Sequence, residues 1–278
     1  MRESMEGPRL HRQRFESVAE LRRMVPKHER VLNQHGCYEI GIKCYGARTW
    51  HGTDSMAQTR EFIDKGWADG LARVRKAFEA LTIPALPSVR RAKVRADFGD
   101  EVDMQRVWSG DLSRAWGTTR RQSDPRRKAK QTVTVLCRVG QNCNVSAEQL
   151  FWQGAAALAL VDALRKSGRS VKLIGYSHSK NVSQDNRFDT LVELAVLEPG
   201  QQIDMEKVAS VLCLAGFFRT EFFKAEYNLP APPHSGLGRN DSEIPPCLKA
   251  NSQDTIFLGG CYDKDSAQRQ LNEIAKKF

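Results

Sequence analysis

The 278 residues are 40% hydrophobic and 27% charged, enough apolar material for one large domain or two modest ones with their own cores, and this excludes an intrinsically disordered chain. Lys and Arg outnumber Asp and Glu by 43 to 33, a formal charge of +10, so anionic partners are favoured, with nucleic acid the commonest of them. Met1 to Pro8 has no apolar run behind its charges, and the stretch closest to a membrane span, Leu150 to Leu164, carries Gln153 and Asp162, so a cytoplasmic protein without a membrane partner is expected.

The first predicted element is a short helix over Phe15 to Val25, with Ser17 as N-cap, Glu20 completing a capping box and Pro26 as the stop. Tyr38 to Tyr45 alternates like a strand, weakened by Gly41. Asp54 or Ser55 then caps a helix running toward Leu81, in which Gly66 and Gly70 predict a break near Gly66. Between Pro84 and Lys130 the pattern loses its period, and prolines mix with many cations, as in a linker or an excursion over the surface.

Cleaner signals follow. Thr132 to Cys137 is β-branched and apolar on both faces, the pattern of a central strand covered from both sides. A loop from Arg138 to Val145 leads to Ser146 and Gln149, a capping box that opens the strongest helix of the chain, ended by Gly168 as a C′ residue. Val171 to Tyr176 is the next strand, giving a β-loop-α-β unit whose crossover should be right-handed. Thr190 to Leu197 forms a third strand and Asp204 caps a helix from Met205 to Leu214, with a second helix beyond Gly216. A Pro- and Gly-rich loop from Asn228 to Ser252, a strand Thr255 to Leu258 and a helix from Asp265 to Lys277 close the chain. The order is that of an α/β protein: an open sheet flanked by helices in residues 132–278, a basic connector in 84–131, and an N-terminal α+β segment in 1–83.

In such sheets ligands sit outside the carboxyl ends of the strands. Three loops qualify by position: Arg138 to Ser146, Ser177 to Asn181, and Gly259 to Asp263. A strand followed by a loop and a long helix resembles the von Willebrand factor A fold, whose first strand ends in an Asp-x-Ser-x-Ser loop that holds a divalent cation. Here Cys137 stands in the place of the acid and Arg138-Val139-Gly140-Gln141 follows it, so the resemblance implies a degenerate site with no metal. Trp50-His51-Gly52-Thr53, Gly66-Trp67-Ala68-Asp69-Gly70 and Val145-Ser146-Ala147-Glu148-Gln149 are similar to a group of uncharacterised proteins of tailed bacteriophages. That likeness implies an accessory role in the host cytoplasm or the virion, and no known activity.

Seven cysteines, Cys37, Cys44, Cys137, Cys143, Cys213, Cys247 and Cys261, form no Cys-x-x-Cys pair and read as reduced, buried thiols. Cys261, His178 and Asp263 could meet at the strand ends as a hydrolase-type set, although no nucleophile elbow frames a nucleophile, and no Walker or His-Glu-x-x-His pattern is present. No cofactor is implied. The most informative functional feature is the run Arg114, Arg120, Arg121, Arg126, Arg127, Lys128 and Lys130, set against Asp124 alone, with Trp108 and Trp116 nearby to stack on bases or to pack inward. The expectation is a non-enzymatic accessory protein that binds nucleic acid, or a nucleic-acid-associated protein, through this basic surface. A structural or assembly module that binds another protein is the alternative, and a solvated loop is the bland reading of the charges.

Overall fold

A computed structural model describes residues 2–6, 10–25, 47–83, 86, 91–96, 101–112, 115–121, 132–142, 144–179, 189–228, 244–249 and 255–277, of which 2–6, 47, 91–96, 101, 117–121, 227, 246 and 249 are described by backbone alone. Alternating and β-branched stretches form a six-stranded mixed sheet from β1 (Arg2–Glu6), β2 (Leu10–Phe15), β6 (Thr132–Arg138), β7 (Ser170–Ser179), β8 (Asp189–Leu197) and β9 (Thr255–Leu258), in the order β1-β2-β8-β7-β6-β9. The pairs β2–β8, β6–β7 and β6–β9 are parallel, whereas β1–β2 and β7–β8 are antiparallel. The fold is therefore α/β, as the pattern of elements predicts.

Phe15 ends a strand and does not open a helix. The predicted helix is shorter, α1 (Val18–Arg23), with the Ser17 hydroxyl accepting from the N–H of Glu20, and β2 before it carries the N-terminal chain into the same sheet as residues 132–258. Its entry is fixed by Phe15, which is buried among helix-side core residues. The strand expected over 38–45 lies outside the described residues.

The helical region breaks at Gly66 as predicted. There φ is +98°, a conformation that side-chain-bearing residues rarely adopt, and it separates α3 (Met56–Lys65), capped by Ser55, from α4 (Ala68–Ala80). A single turn, α2 (Ala47–Trp50), precedes them.

The main cover of the sheet is α6 (Ala147–Lys166), 20 residues long, with both hydrogen bonds of the Ser146–Gln149 capping box formed. Its alanines at 155, 156, 157 and 159 are fully buried, because neighbours press on it from several sides. One is α7 (Met205–Leu212), whose C-terminal end approaches so closely that a Cβ on Gly154 would stand 2.4 Å from the Leu212 carbonyl oxygen. The expected second helix begins as α8 (Ala215–Phe217), with Gly216 inside it, widens into a π-helical turn over Phe218–Phe222 and continues as α9 (Phe223–Tyr227). Phe217, Phe218 and Phe222 are buried there. The chain closes with α10 (Pro246–Lys249) and α11 (Lys264–Ala275).

Register divides the sheet into two sides. Val133, Val135, Val171, Leu173, Val192 and Leu194 face the helices, while Leu136, Tyr176 and Leu191 form a smaller cluster with Leu248 of α10 on the other side. No described helix is long and apolar enough to cross a membrane.

The stretch expected to be an aperiodic connector contains regular structure. β3 (Arg91–Ala96), β4 (Glu101–Val102) and β5 (Trp116–Arg121) form a separate antiparallel sheet in the order β3-β5-β4, with α5 (Met104–Trp108) in the β4–β5 connection. Arg-Ala-Lys-Val-Arg-Ala has a period of two, but every second position is a cation and it reads as a charge run.

Candidate functional site

Because β6, β7 and β9 run the same way, their carboxyl ends finish on one edge of the sheet, followed by the starts of α6 and α11. At this edge Arg138, 6% exposed, donates from Nη2 to the Tyr262 hydroxyl at 3.1 Å. Tyr262 donates in turn to Oε1 of Gln141 at 3.1 Å, and Nε2 of Gln141 donates to Oε1 of Gln153 at 3.1 Å. The same Gln153 oxygen accepts from the N–H of Gly260 at 2.8 Å. The network ties the first strand-end loop to the last with a guanidinium, a phenol and two amides. Such a set suits a rigid polar edge and offers a hard cation none of the anionic oxygen it requires. Among the described residues no group of three or more His, Cys, Asp or Glu could hold a metal ion.

Cys261, His178 and Asp263 each have other tasks. Cys261 is fully buried in the helix-side core, and burial pushes its thiol up to about 12, the reverse of what a nucleophilic thiolate needs. Asp263 caps α11: its carboxylate accepts from the N–H and the hydroxyl of Ser266, at 2.7 Å each, and these bonds hold its pKa below the usual carboxylate range. His178 lies in β7 opposite Leu191, with its Nε2 3.9 Å from the Asp189 carboxylate. Cys137 is also buried, and desolvation raises its thiol far above the ordinary value. Cys137, Cys213, Cys247 and Cys261 all carry free thiols.

Of the predicted basic residues, Arg120 and Arg121 end β5, and Arg114, Arg126, Arg127, Lys128 and Lys130 lie outside the described residues. The strand register adds partners that belong with them. Arg91 pairs with Arg121, Lys93 with Thr119 and Arg95 with Gly117, so Arg91, Lys93, Arg95 and Arg121 occupy positions on one side of the small sheet. Glu101, opposite Gly117, is the acid placed on that side. Trp108 and Trp116 are 79% and 38% exposed, which settles their two readings in favour of surface residues.

Residues 3–278 match the model of a family described only as a domain of unknown function, DUF7192. The chain belongs to that family. No curated protein and no solved structure matches it. Since the DUF7192 match spans both sheets, the basic ribbon and the strand-edge network are parts of one family unit.

Three buried polar clusters escape sequence reasoning, because their members lie far apart in the chain. Glu193 on β8 accepts from Arg12 Nε at 2.5 Å and from Arg14 Nε at 3.0 Å, across the parallel β2–β8 pair. This trio lines a cavity of about 360 Å³ on the sheet side away from the long helix, together with Lys172, Thr134 and Thr255. Arg219, in the π-helical turn, is held by the carbonyls of Trp50 and Val145, with its guanidinium 4.5 Å from the Trp50 ring centroid. The Trp50-His51-Gly52-Thr53 motif is thereby a structural clasp, reinforced by the N–H of Gly216 donating to the His51 carbonyl at 2.8 Å. Finally, Glu226 on α9 accepts from the Ser177 hydroxyl and is wholly enclosed, and burial raises its pKa to about 7 against the opposing pull of the Ser177 and Ser179 hydroxyls.

Proposed function

We propose that this DUF7192 chain is a non-enzymatic accessory protein that binds nucleic acid through the basic side of its three-stranded ribbon. The observation that carries the proposal is the β3–β5 register, which aligns Arg91, Lys93, Arg95 and Arg121 with one intervening acid at the sheet end. Cations at every second residue of β3, joined by Arg121 of β5, form a row that phosphates of a polyanion can meet several at a time. Arg120, Arg126, Arg127, Lys128 and Lys130 continue the charge along the chain, and Arg114 precedes it. The net charge of +10 steers the same class of partner toward the protein.

Gel-shift titrations with DNA and RNA over a salt series test this. Affinity should fall steeply with salt. Replacing Arg91, Lys93, Arg95 and Arg121 together by Gln should shrink the log–log slope by about 3, since each phosphate that is no longer neutralised is worth roughly 0.7 to 0.9. Absence of binding at low salt would sink the proposal.

A second reading is an assembly module of degenerate von Willebrand A type. In its favour, β6, a polar loop and the long α6 follow one another, with Cys137, Val139 and Gln141 where that fold carries cation ligands. Co-purification of a defined protein that persists in chelator would favour it, and release of that partner by chelator would count against it.

A further inference from the structure

The ribbon displays aromatic as well as cationic surface. Trp108 is 79% exposed at the end of α5, and Trp116, 38% exposed, opens β5. An indole left in water is unusual in a chain with a large core. The α5 excursion closes on itself at the ribbon, since the Asp103 N–H donates to the Ala115 carbonyl at 2.8 Å, so both indoles belong to one end of the ribbon. Asp103 and Asp111 flank the helix, and Arg106 lies 3.9 Å from the first carboxylate and 2.9 Å from the second, which tempers their repulsion of an anion. By register Trp116 shares its side of the sheet with Thr118 and Arg120, opposite Ala96, Val94 and Ala92. That side, the reverse of the one carrying Arg91, Lys93, Arg95 and Arg121, is a platform of small residues with Trp116 at one end and the Arg120 position at the other, so a strand stacked on it reaches the other cations around the edge of the ribbon, as a flexible single strand can.

Resting on the function proposed above, we infer that the ribbon takes single-stranded nucleic acid, DNA or RNA, in preference to duplex. In a duplex the faces of the bases are stacked against one another, and an indole finds only edges. An unpaired strand presents those faces, and base–aromatic stacking with phosphate contacts to nearby cations is tolerant of sequence. The cations favour such a strand over a protein partner, which could cover the indoles without needing them.

The test uses the full chain with oligothymidine, oligouridine and a hairpin duplex of equal length, read by anisotropy and by tryptophan fluorescence. The single strands should bind about tenfold or more tighter than the duplex at matched salt and quench the fluorescence. Trp108→Ala should weaken single-strand binding roughly tenfold with an unchanged salt slope, while Trp108→Phe retains most of the affinity. Far-UV circular dichroism and the melting temperature confirm that the variant is folded, and the exposure of Trp108 makes it the safer of the two positions; Trp116→Phe serves as the second variant. Equal affinity for duplex, no quenching and a neutral Trp108→Ala would overturn the preference while leaving the basic-surface function standing. Failure of every probe to bind at low salt would remove that function as well.

Discussion

The two sheets of this protein handle charge in opposite ways. In the six-stranded sheet and the helices packed on it, buried ions are enclosed by partners: Arg12, joined by the half-exposed Arg14, converges on Glu193, Lys224 on Glu221, and Arg219 on two carbonyls and a ring. In the three-stranded ribbon, cations stand at alternate register positions and the large apolar side chains Val102, Met104, Trp108, Leu112 and Trp116 are exposed. Burial costs a charge its hydration, so the first sheet must commit its ionic groups to its own structure. The function proposed above requires the ribbon to keep its cations available to a partner instead.

The sharpest way to break this contrast is to remove matched apolar groups from the two regions. Leu158 on α6 is 1% exposed and Leu112 beside the ribbon is 64% exposed. Leu158→Ala should destabilise the protein by about 2–5 kcal/mol, through reduced transfer energy and a cavity, whereas Leu112→Ala should stay within about 0.5 kcal/mol in a denaturant titration. Equal losses would mean that the ribbon is part of the core.

Glu226 gives a pH-dependent version of the same test. Its folded pKa, about 7, lies above the ordinary 4.5, so the native state holds its proton more tightly than the unfolded chain. Stability is therefore fully present below about pH 4.5, falls as pH rises, and levels off above about pH 7. Glu226→Gln keeps the shape without the charge and should be more stable than the parent above pH 7 by up to about 3 kcal/mol, with the difference vanishing near pH 4. Urea titrations at the two pH values measure it. A variant less stable than the parent above pH 7 but not near pH 4 would show that the ionised carboxylate is held by something stronger than the serine hydroxyls.

Local signals were legible in the sequence where the physics is local. Ser146 with Gln149, Ser17 as the cap of α1, Asp204 and the break at Gly66 can be read from a few neighbouring residues, and each occurs where those residues predict, although the Glu20 carboxylate accepts from the N–H of Glu16 and so leaves the predicted Ser17–Glu20 box half formed. Accordingly, Ser146→Ala should cost about 1 kcal/mol by leaving N–H groups of α6 without their acceptor, a loss measurable in the same urea titrations. Features set by pairing across the chain were not legible. Phe15 ends a strand because it pairs with Leu194 of β8, far along the chain, and nothing adjacent to Phe15 says so. The loops after β6 and β9 lie at the strand ends as the pattern predicts, whereas Ser177 to Ser179, expected in a loop, belong to β7, and the network that joins Arg138, Tyr262, Gln141 and Gln153 depends on β6 and β9 being neighbours. The ribbon was missed for a different reason: its period of two is written in Arg and Lys against Ala and Val, so charge hid the alternation.

The smallest expected effect separates the two regions most directly. Replacing Arg91, Lys93, Arg95 and Arg121 by Gln removes four positive charges from one side of the ribbon by register and leaves every strand pair of the six-stranded sheet in place. Like charges at neighbouring register positions repel, so the substitution relieves repulsion as often as it removes an attraction. Stability should therefore move by less than about 0.5 kcal/mol per site, and by less at high salt, where screening already suppresses the repulsion. If the melting temperature instead fell by as much as it does for Leu158→Ala, these cations would be satisfying buried acceptors. The ribbon would then be managing charge as the large sheet does, and its basic side would not be a surface held ready for a polyanion.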